Sequence, residues 1–375
     1  MNRSLTKLDE IDLRELAGMT SSDRAFLSLY YNGKDGWEQE RKQLEKNLAL
    51  LKDQPEESEH LQRNLELLEK ELKGMPDRYG RVAAYVCWLL DFCEVYTLPV
   101  PVPNLARIDS SPFIRPLAEL QDEYENYAVV IADNTSAKVY LVSSNVTEDK
   151  VAIKGNIKNS VKVGGWSQQR YKRRRDKQLH HYAKDIAGEL LELDKENAFR
   201  RVLMVGSKET LRAIKNALPT QVANKAVVDK ALDLGKPDDV IESELYELFA
   251  QQEVESEQIL WETIRNEYLK GGLAIMGMED TLRSAQRGQV EKVLVERSYK
   301  PNGVRCRSCE HLQLEAAPCE ECSSEDCFEV GLINELVELL ARSSAEIDFC
   351  SPIPGLKEAG SIAALLRYPL QNHQS

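Results

Sequence analysis

The chain has 375 residues, with 49 Lys and Arg against 62 Asp and Glu, so its formal net charge is −13 at pH 7. This length predicts two or three domains. The charged start lacks the apolar segment of a secretory signal, and no apolar run approaches the roughly 20 residues of a membrane span, so we expect a cytoplasmic protein with no membrane partner. In that reducing compartment, paired cysteines indicate metal binding more often than disulfides.

Residues 1–125 predict an N-terminal domain that combines a mixed sheet with a helical hairpin. Residues 26–31 favour a short strand, which is followed by glycine turn signals. Residues 37–73 predict two charged helices broken near Pro55, with leucines at helical spacing. Such a leucine stripe is typical of the core face of a hairpin.

A second apolar stretch closes this first domain. Residues 82–95 predict a buried strand or a pair of strands, in which Cys87 and Cys93 are core residues. The three prolines that follow within residues 99–103 indicate a connecting loop.

Residues 126–268 predict a middle domain. Its first strands are expected at 127–133 and 137–143, and a third at 201–205 leads into a helix capped by Ser207. The order of these elements favours an α/β layer with a mixed sheet. A long amphipathic helix over 242–269 then leads to the next domain.

Residues 269–375 predict an α/β domain at the C-terminal end. Helices are expected at 279–287 and 331–342, and strands at 289–296, 345–349 and 362–368. A cysteine-rich insertion, residues 304–328, interrupts this pattern.

The insertion carries the spacing C-x2-C-x9-C-x2-C, formed by Cys306, Cys309, Cys319 and Cys322. Two residues between thiolates allow a turn that directs both sulfurs at one ion, and two such turns complete a tetrahedral shell. We expect a structural zinc ion, because four thiolates leave no open coordination position. Whether Cys327 or His311 joins the site is left open.

The most basic stretch of this acidic chain is residues 154–184, with ten Lys and Arg residues against Asp176 alone. A basic block of this kind usually binds a phosphate backbone. Gly164 and Gly165 allow backbone angles closed to other residues, and 168–183 predicts a helix, so a flexible glycine tip precedes a cationic helix. The alternative is a solvated basic helix after a hairpin turn.

The expected RNA-binding residues share this segment and are Trp166, Arg170, Lys172, Arg173, Arg174, Arg175 and Lys177. Trp166 would stack on an RNA base. The five histidines form no convincing catalytic set, and no GxxxxGK[ST], GxSxG or HExxH motif is present. A glutamine at the tip can orient a water molecule and donate hydrogen bonds towards a developing oxyanion, which suits hydrolysis of an activated ester in a site supplied mostly by a partner.

The pattern Gly164-Gly165-x-Ser-x-x-Arg-Tyr, followed by a basic helix ending in His-His-Tyr, resembles the middle domain of the archaeal and eukaryotic class-1 peptide chain release factors. The segment 276–282, Gly288-Gln-Val, the four-cysteine insertion and the ending 360–368 are similar to that family's third domain. The resemblance covers about 127–368 in the same order. It implies a ribonuclease-H-like middle domain and a ribosomal-RNA-binding-protein-like C-terminal domain.

Two departures distinguish this chain from the typical family member. Trp166 occupies the position of the family's catalytic glutamine, and Gln168 instead resembles the GxxQ tip of divergent relatives that release peptides from stalled ribosomes. Gln168 is the first choice for the catalytic amide and Gln169 the second, with Gly164 and Gly165 providing backbone freedom. The codon-reading motifs of the first domain are not convincingly present, so the chain looks most like the divergent bacterial members.

The resemblance implies a ribosome-associated rescue factor that contacts ribosomal RNA and hydrolyses the peptidyl-tRNA ester, and it leaves a translational GTPase open as a further partner. The alternative is a non-catalytic ribosome-binding factor of the Pelota type. A general RNA-binding protein is the third possibility.

Overall fold

The computed structural model describes residues 6–21, 24–51, 54–132, 136–143, 146–154, 166–197, 199–230, 238–316 and 318–368. Their contacts form two compact units. The first combines residues 1–123 with residues 251–375, and the second spans residues 124–250. The finer division into domains at 125 and 268 stays a prediction. No described helix combines the length and the apolar character needed to cross a membrane.

The N-terminal part of the first unit contains a four-stranded antiparallel sheet with strand order β3-β2-β1-β4. The strands are β1 Phe26–Asn32, β2 Arg81–Cys87, β3 Phe92–Thr97 and β4 Leu105–Asp109. The helices are α1 Leu13–Ala17, α2 Gly33–Leu50, α3 Pro55–Lys73 and α4 Arg115–Glu123. The predicted strand pair is confirmed as β2 and β3, and the predicted helical hairpin as α2 and α3. The predicted mixed sheet is wrong for this part of the chain, because all three strand pairings are antiparallel.

The two faces of this sheet pack against different elements. Leu27 and Leu29 of β1 contribute to the core shared with Leu44 of α2 and Leu68 of α3. On the opposite face, the hydroxyl of Ser28 accepts a hydrogen bond from the amide of Phe113 at 2.8 Å. The hairpin therefore covers one face, and the segment leading into α4 covers the other.

Helix α2 begins four residues earlier than the glycine turn signals predicted. Gly33 has a φ of +66°, which its missing side chain permits, and the chain turns directly from β1 into the helix there. The glycine was thus correctly recognised as a turn residue, but Asp35 and Gly36 already belong to the first turns of α2.

The second unit contains a five-stranded mixed sheet with order β7-β6-β5-β8-β9. Its strands are β5 Tyr127–Ala132, β6 Ser136–Ser143, β7 Val146–Lys154, β8 Arg201–Gly206 and β9 Ala226–Lys230. β6 is antiparallel to β5 and β7, whereas β8 is parallel to β5 and β9, so the predicted mixed sheet is confirmed. Its helices are α5 Trp166–Asn197, α6 Lys208–Ala217 and α7 Thr220–Ala223.

Helix α8, Asp238–Leu269, runs from the second unit into the first. The C-terminal sheet of the first unit has order β10-β16-β11-β15, with β11 parallel to β15. The strands of this sheet are β10 Ala274–Met276, β11 Val290–Glu296, β15 Glu346–Cys350 and β16 Ile362–Leu366. The accompanying helices are α9 Met278–Gln286, α10 Leu332–Arg342 and α11 Pro354–Glu358.

The predicted cysteine-rich insertion forms a separate small sheet with order β13-β12-β14. Its strands are β12 Asn302–Cys306, β13 Leu312–Gln313 and β14 Cys327–Gly331. Buried aliphatic side chains in these strands are few, namely Val304, Leu312 and Val330. Three buried aliphatic side chains stabilise a sheet only weakly, and a bound metal would add to its stability.

Candidate functional site

Helix α5 carries the basic segment and is longer than predicted at both ends. It begins at Trp166, two residues before the predicted start, and ends at Asn197 rather than at Ala183. The extension arises because buried apolar residues continue at helical spacing through Ile186, Leu190 and Leu193 into the core of the second unit.

The N-terminal half of α5 is cationic on its exposed face. Arg173, Arg174 and Lys177 are all exposed, and Lys184 continues the same face at a spacing of seven from Lys177. Three of the six predicted RNA-binding cations therefore lie on one accessible surface, here called the basic face and defined as Arg173, Arg174, Lys177 and Lys184.

Arg175 points elsewhere, because its guanidinium forms an ion pair with the carboxylate of Glu209 on α6. Its side chain is only 24% exposed. The run of arginines in the sequence did not indicate this difference, since the packing of α6 against α5 decides which arginine turns inward.

The predicted catalytic tip is only partly within the described residues. Gly164 and Gly165 lie outside them. Trp166, Gln168 and Gln169 belong to the first turns of α5, as do Arg170 and Lys172, and the structure describes these five by their helical backbone alone.

The four predicted metal ligands come together in the insertion. The Sγ atoms of Cys306, Cys309, Cys319 and Cys322 all lie within 4.8 Å of one another. The Sγ atoms of Cys306 and Cys322 are 3.5 Å apart, and those of Cys309 and Cys319 are 3.4 Å apart. Tetrahedral ligands at a Zn–S distance of about 2.3 Å would be about 3.8 Å apart, so the four thiols fit one tetrahedral ion.

The two cysteine pairs sit on equivalent turns. Glu310 and Ser323, each directly after the second cysteine of a pair, have φ values of 61° and 59°. The amide of Glu310 donates to the carbonyl of Cys306 at 3.0 Å, and the amide of Ser323 donates to that of Cys319 at 2.7 Å. This repetition supports the metal-binding turn that the C-x2-C spacing predicted.

Backbone amides also stabilise a thiolate at this cluster. Burial opposes ionisation of Cys306, yet hydrogen bonds from the amides of Cys309 and Ser308 lower the pKa of this thiol to about 6. The Ser308 amide lies 3.4 Å from its Sγ atom. The neighbouring thiols raise the pKa of Cys309 and of Cys322, so the negative charge in this metal-free cluster is concentrated on Cys306.

Neither of the two further ligand candidates belongs to this group of four among the described residues. His311 accepts a hydrogen bond from the amide of Cys306 through its backbone carbonyl, at 2.9 Å. Cys327 begins β14, with its Sγ 3.8 Å from the carbonyl of Ser324. Within the described part of the chain, the group of side chains able to hold a metal is the four cysteines alone.

Comparisons with known proteins address the class of the chain. Peptide chain release factor subunit 1 of Methanocaldococcus jannaschii is 24% identical over 314 residues, covering 74% of this chain and 75% of that protein. The protein of the same name from Archaeoglobus fulgidus is 27% identical over 303 residues, covering 73% and 74%. Among solved structures, the translation termination-like factor Dom34 of S. cerevisiae aligns at 13% identity with a TM-score of 0.42, covering 79% and 82%.

Together with the sequence motifs, the two archaeal relatives and a matching family model support a place for the chain in the archaeo-eukaryotic release-factor-like superfamily. Within that superfamily, residues 112–253 match the sequence model of Bacterial archaeo-eukaryotic release factor family 10. The matched region contains the whole second unit with its glycine tip and α5. This match confirms the predicted similarity to the bacterial members of the superfamily.

Proposed function

We propose that this protein is a ribosome-associated release or rescue factor that hydrolyses the ester bond of peptidyl-tRNA. The observation that carries the proposal is the basic face of α5, which directly follows the glycine tip within the matched region. The basic face binds ribosomal RNA through its phosphates, because clustered cations displace the counterions of a nucleic acid. The curated relatives are named as release factors.

In this proposal the tip acts in a reaction centre that the ribosome supplies. Gln168 orients a water molecule towards the ester carbonyl and donates a hydrogen bond to the developing oxyanion, while Gly164 and Gly165 let the backbone approach closely. Gln169 is the second candidate for this role. A glutamine amide is not a general acid or base, so the surrounding RNA provides the groups that transfer protons.

The decisive experiment uses purified ribosomes that carry radiolabelled peptidyl-tRNA. We expect the wild-type chain to release the peptide and the Gln168→Ala variant to release it at least tenfold more slowly. The Gln169→Ala variant tests the second candidate in the same assay, and a loss of release in this variant alone assigns the role to Gln169. Absence of release by the wild type, or equal release by the Gln168→Ala variant, refutes catalysis by Gln168.

A second function is favoured by Trp166, which stands where the family's catalytic glutamine is expected. A non-catalytic factor would bind the ribosome through the basic face and leave the ester intact, with the indole stacking on an RNA base. Co-sedimentation of the wild type with ribosomes, without peptide release under any condition tested, would select this function over hydrolysis.

We also propose that Cys306, Cys309, Cys319 and Cys322 bind one structural zinc ion. The distances between their sulfurs and the two equivalent turns support this proposal. Elemental analysis of the purified protein should find one zinc per chain. The double variant Cys309→Ser with Cys322→Ser should contain none, whereas Cys93→Ser in β3 should keep it.

A further inference from the structure

Arg305 links the four-cysteine cluster to the rest of the first unit. It precedes Cys306 in β12, and successive residues of a strand point to opposite faces. Cys306 contributes its thiol to the cluster. The Arg305 side chain is 7% exposed, and its guanidinium lies 3.2 Å from the carboxylate of Glu335 on α10.

Two buried carboxyl groups lie on successive turns of α10. The side chains of Glu335 and Glu338 are 5% and 2% exposed. Burial raises the pKa of Glu335 to about 7, while Arg305 opposes that rise. Burial and the neighbouring Glu335 also raise the pKa of Glu338 well above its usual value. The pair is therefore costly to bury, and Arg305 and Arg342 offset the cost.

The N-terminal part of the chain is attached to this same pair. Ser111 donates to Oε1 of Glu338 at 2.7 Å, and Asn334 donates to the same oxygen at 2.8 Å. Asn334 in turn accepts from the amide of Arg115 at 3.1 Å. Arg342 binds Glu338 at 3.3 Å and donates to the carbonyl of Ala17 at 2.6 Å.

We propose that metal binding at the four cysteines is coupled, through Arg305, to the attachment of the N-terminal segments 13–17 and 110–119 to α10. The coupling rests on the zinc binding proposed above. With metal bound, Cys306 is held in place and β12 presents Arg305 to Glu335. Without metal, the small core of the insertion no longer holds β12, Arg305 is lost from the acid pair, and the N-terminal segments detach more often.

The insertion has the structure that this coupling requires. β13 contains two residues, and the buried aliphatic side chains of the three strands are Val304, Leu312 and Val330. A sheet of this size has too little apolar surface to be stable alone. The side chain of Gln286 on α9 hydrogen-bonds the backbone of Leu312, and a metal at the cysteines would add the second point that orders the sheet. A metal at the cysteines and the Arg305 side chain would lie on opposite faces of β12, and Arg305 also pairs with Glu310 at 3.3 Å, directly after Cys309, so ordering one would order the other.

Hydrogen–deuterium exchange of the full-length protein, read by mass spectrometry, tests the coupling after metal content has been measured. We expect removal of metal by a chelator to speed amide exchange in segments 13–17 and 110–119 by about tenfold or more, because breaking a buried ion pair is strongly destabilising. Exchange in β5 and β8 of the second unit should not change, which serves as an internal control.

Variants separate Arg305 from general damage to the insertion. Metal-loaded Arg305→Leu should exchange both segments as fast as the metal-free wild type, and Arg305→Lys should restore part of the protection. Arg307→Leu is the matched control: Arg307 lies two residues away in the same insertion, but pairs with Asp326 and stacks on Phe328. It should behave as the wild type.

Three results would overturn the coupling. Slow exchange of both segments in metal-free wild type would show that the metal does not act on the junction. Equal protection in metal-loaded Arg305→Leu and wild type would exclude Arg305 as the link. A wild-type chain that binds no metal would refute the zinc proposal and the coupling together, whereas metal binding without any effect on exchange refutes the coupling alone.

Discussion

Glu257 of α8 is a carboxyl group buried against the end of β15. Its Oε2 atom accepts a hydrogen bond from the amide of Ser351 at 3.3 Å. Burial raises the pKa of Glu257 to about 7, with smaller opposing contributions from the Ser351 amide and Arg297. The folded protein therefore holds a proton that the unfolded chain releases near pH 4.5.

This shift makes stability depend on pH in a defined direction. A raised pKa in the folded state favours folding at low pH, and this contribution is lost as pH rises from about 4.5 through 7. The Glu257→Gln variant keeps an acceptor for Ser351 but cannot titrate. Its free energy of unfolding should therefore decrease less between pH 5 and pH 8 than that of the wild type. The variant should exceed the wild type by on the order of 1 kcal/mol at pH 8.

Urea denaturation at the two pH values measures the effect. Glu262→Gln is the control, because Glu262 is exposed on the same helix. An unchanged difference between pH 5 and pH 8 in Glu257→Gln would contradict the assignment.

Single residues were predictable where the reason is local. Ser207 accepts from the Thr210 amide at 3.4 Å, as its place before α6 predicted, because capping depends only on neighbouring residues. The four cysteines were predictable because the geometry of C-x2-C is local as well. The pairing of Arg175 with Glu209 was not, because it depends on how two helices pack.

At the scale of elements, α2 contains a charged residue on its buried side. Glu40 is 6% exposed and lies on the stripe that also contains Trp37 and Leu44. Burial raises its pKa, and no hydrogen bond or ion pair joins it to another described residue. Glu40→Leu should therefore raise the free energy of unfolding at pH 7 by about 1 kcal/mol.

Thermal and urea denaturation test this expectation. Glu38→Leu is the matched control on the exposed side of α2, and it should leave stability within about 0.5 kcal/mol. Destabilisation by Glu40→Leu would contradict this expectation and would show that the Glu40 carboxylate stabilises the folded protein.

The basic face of α5 gives a prediction about binding. Replacing Arg173, Arg174 and Lys177 by Gln should weaken binding to ribosomes and lower the slope of log affinity against log salt by roughly 2 to 3, since each lost phosphate contact contributes about 0.7–0.9. The triple variant Lys208→Gln, Arg212→Gln, Lys215→Gln removes equal charge from exposed positions on α6 and should bind as the wild type. Equal losses in both would indicate that only net charge matters.

Elements with a clear apolar period were predicted, and polar or short ones were missed. The hairpin helices and β11 follow their hydrophobic spacing. β7 was missed because its sequence VTEDKVAIK places four charged residues within a strand that pairs with β6. β4 and β10 were also missed, since their short sequences carry little periodic signal. α4 was missed although its buried residues Leu117, Ala118 and Leu120 follow helical spacing.

For the whole molecule, the ends of the first unit lie close together where the second unit is inserted. Arg297 binds Glu123 at 3.2 Å and Glu253 at 3.8 Å. These two glutamates lie just before and just after the second unit in the sequence. A chain in which about eight Gly and Ser residues replace 126–250 should therefore still fold. Circular dichroism and a cooperative urea transition would show this, and a fragment of residues 124–237 would test the second unit separately.

The union of both chain ends in one unit could not have been predicted from the sequence. It depends on contacts such as Ser111 with Glu338 and Arg115 with Asn334, which span 227 and 219 positions. Periodicity and turn signals report only nearby residues, so they cannot reveal contacts at this separation. These contacts are polar, so they leave no apolar stripe in the sequence that would indicate a partner surface.

This long-range attachment has a consequence for biosynthesis. When residues 1–123 leave the translating ribosome, α2 and α3 can cover their face of the first sheet at once, because hairpin and sheet are neighbours in sequence. The Ser111 hydroxyl and the Arg115 amide bind residues of α10, which is synthesised more than 200 residues later, although the Arg115 guanidinium can already pair with Glu119. A nascent chain stalled before residue 332 would thus be half assembled, with the second unit complete and the first still open to chaperones and proteases.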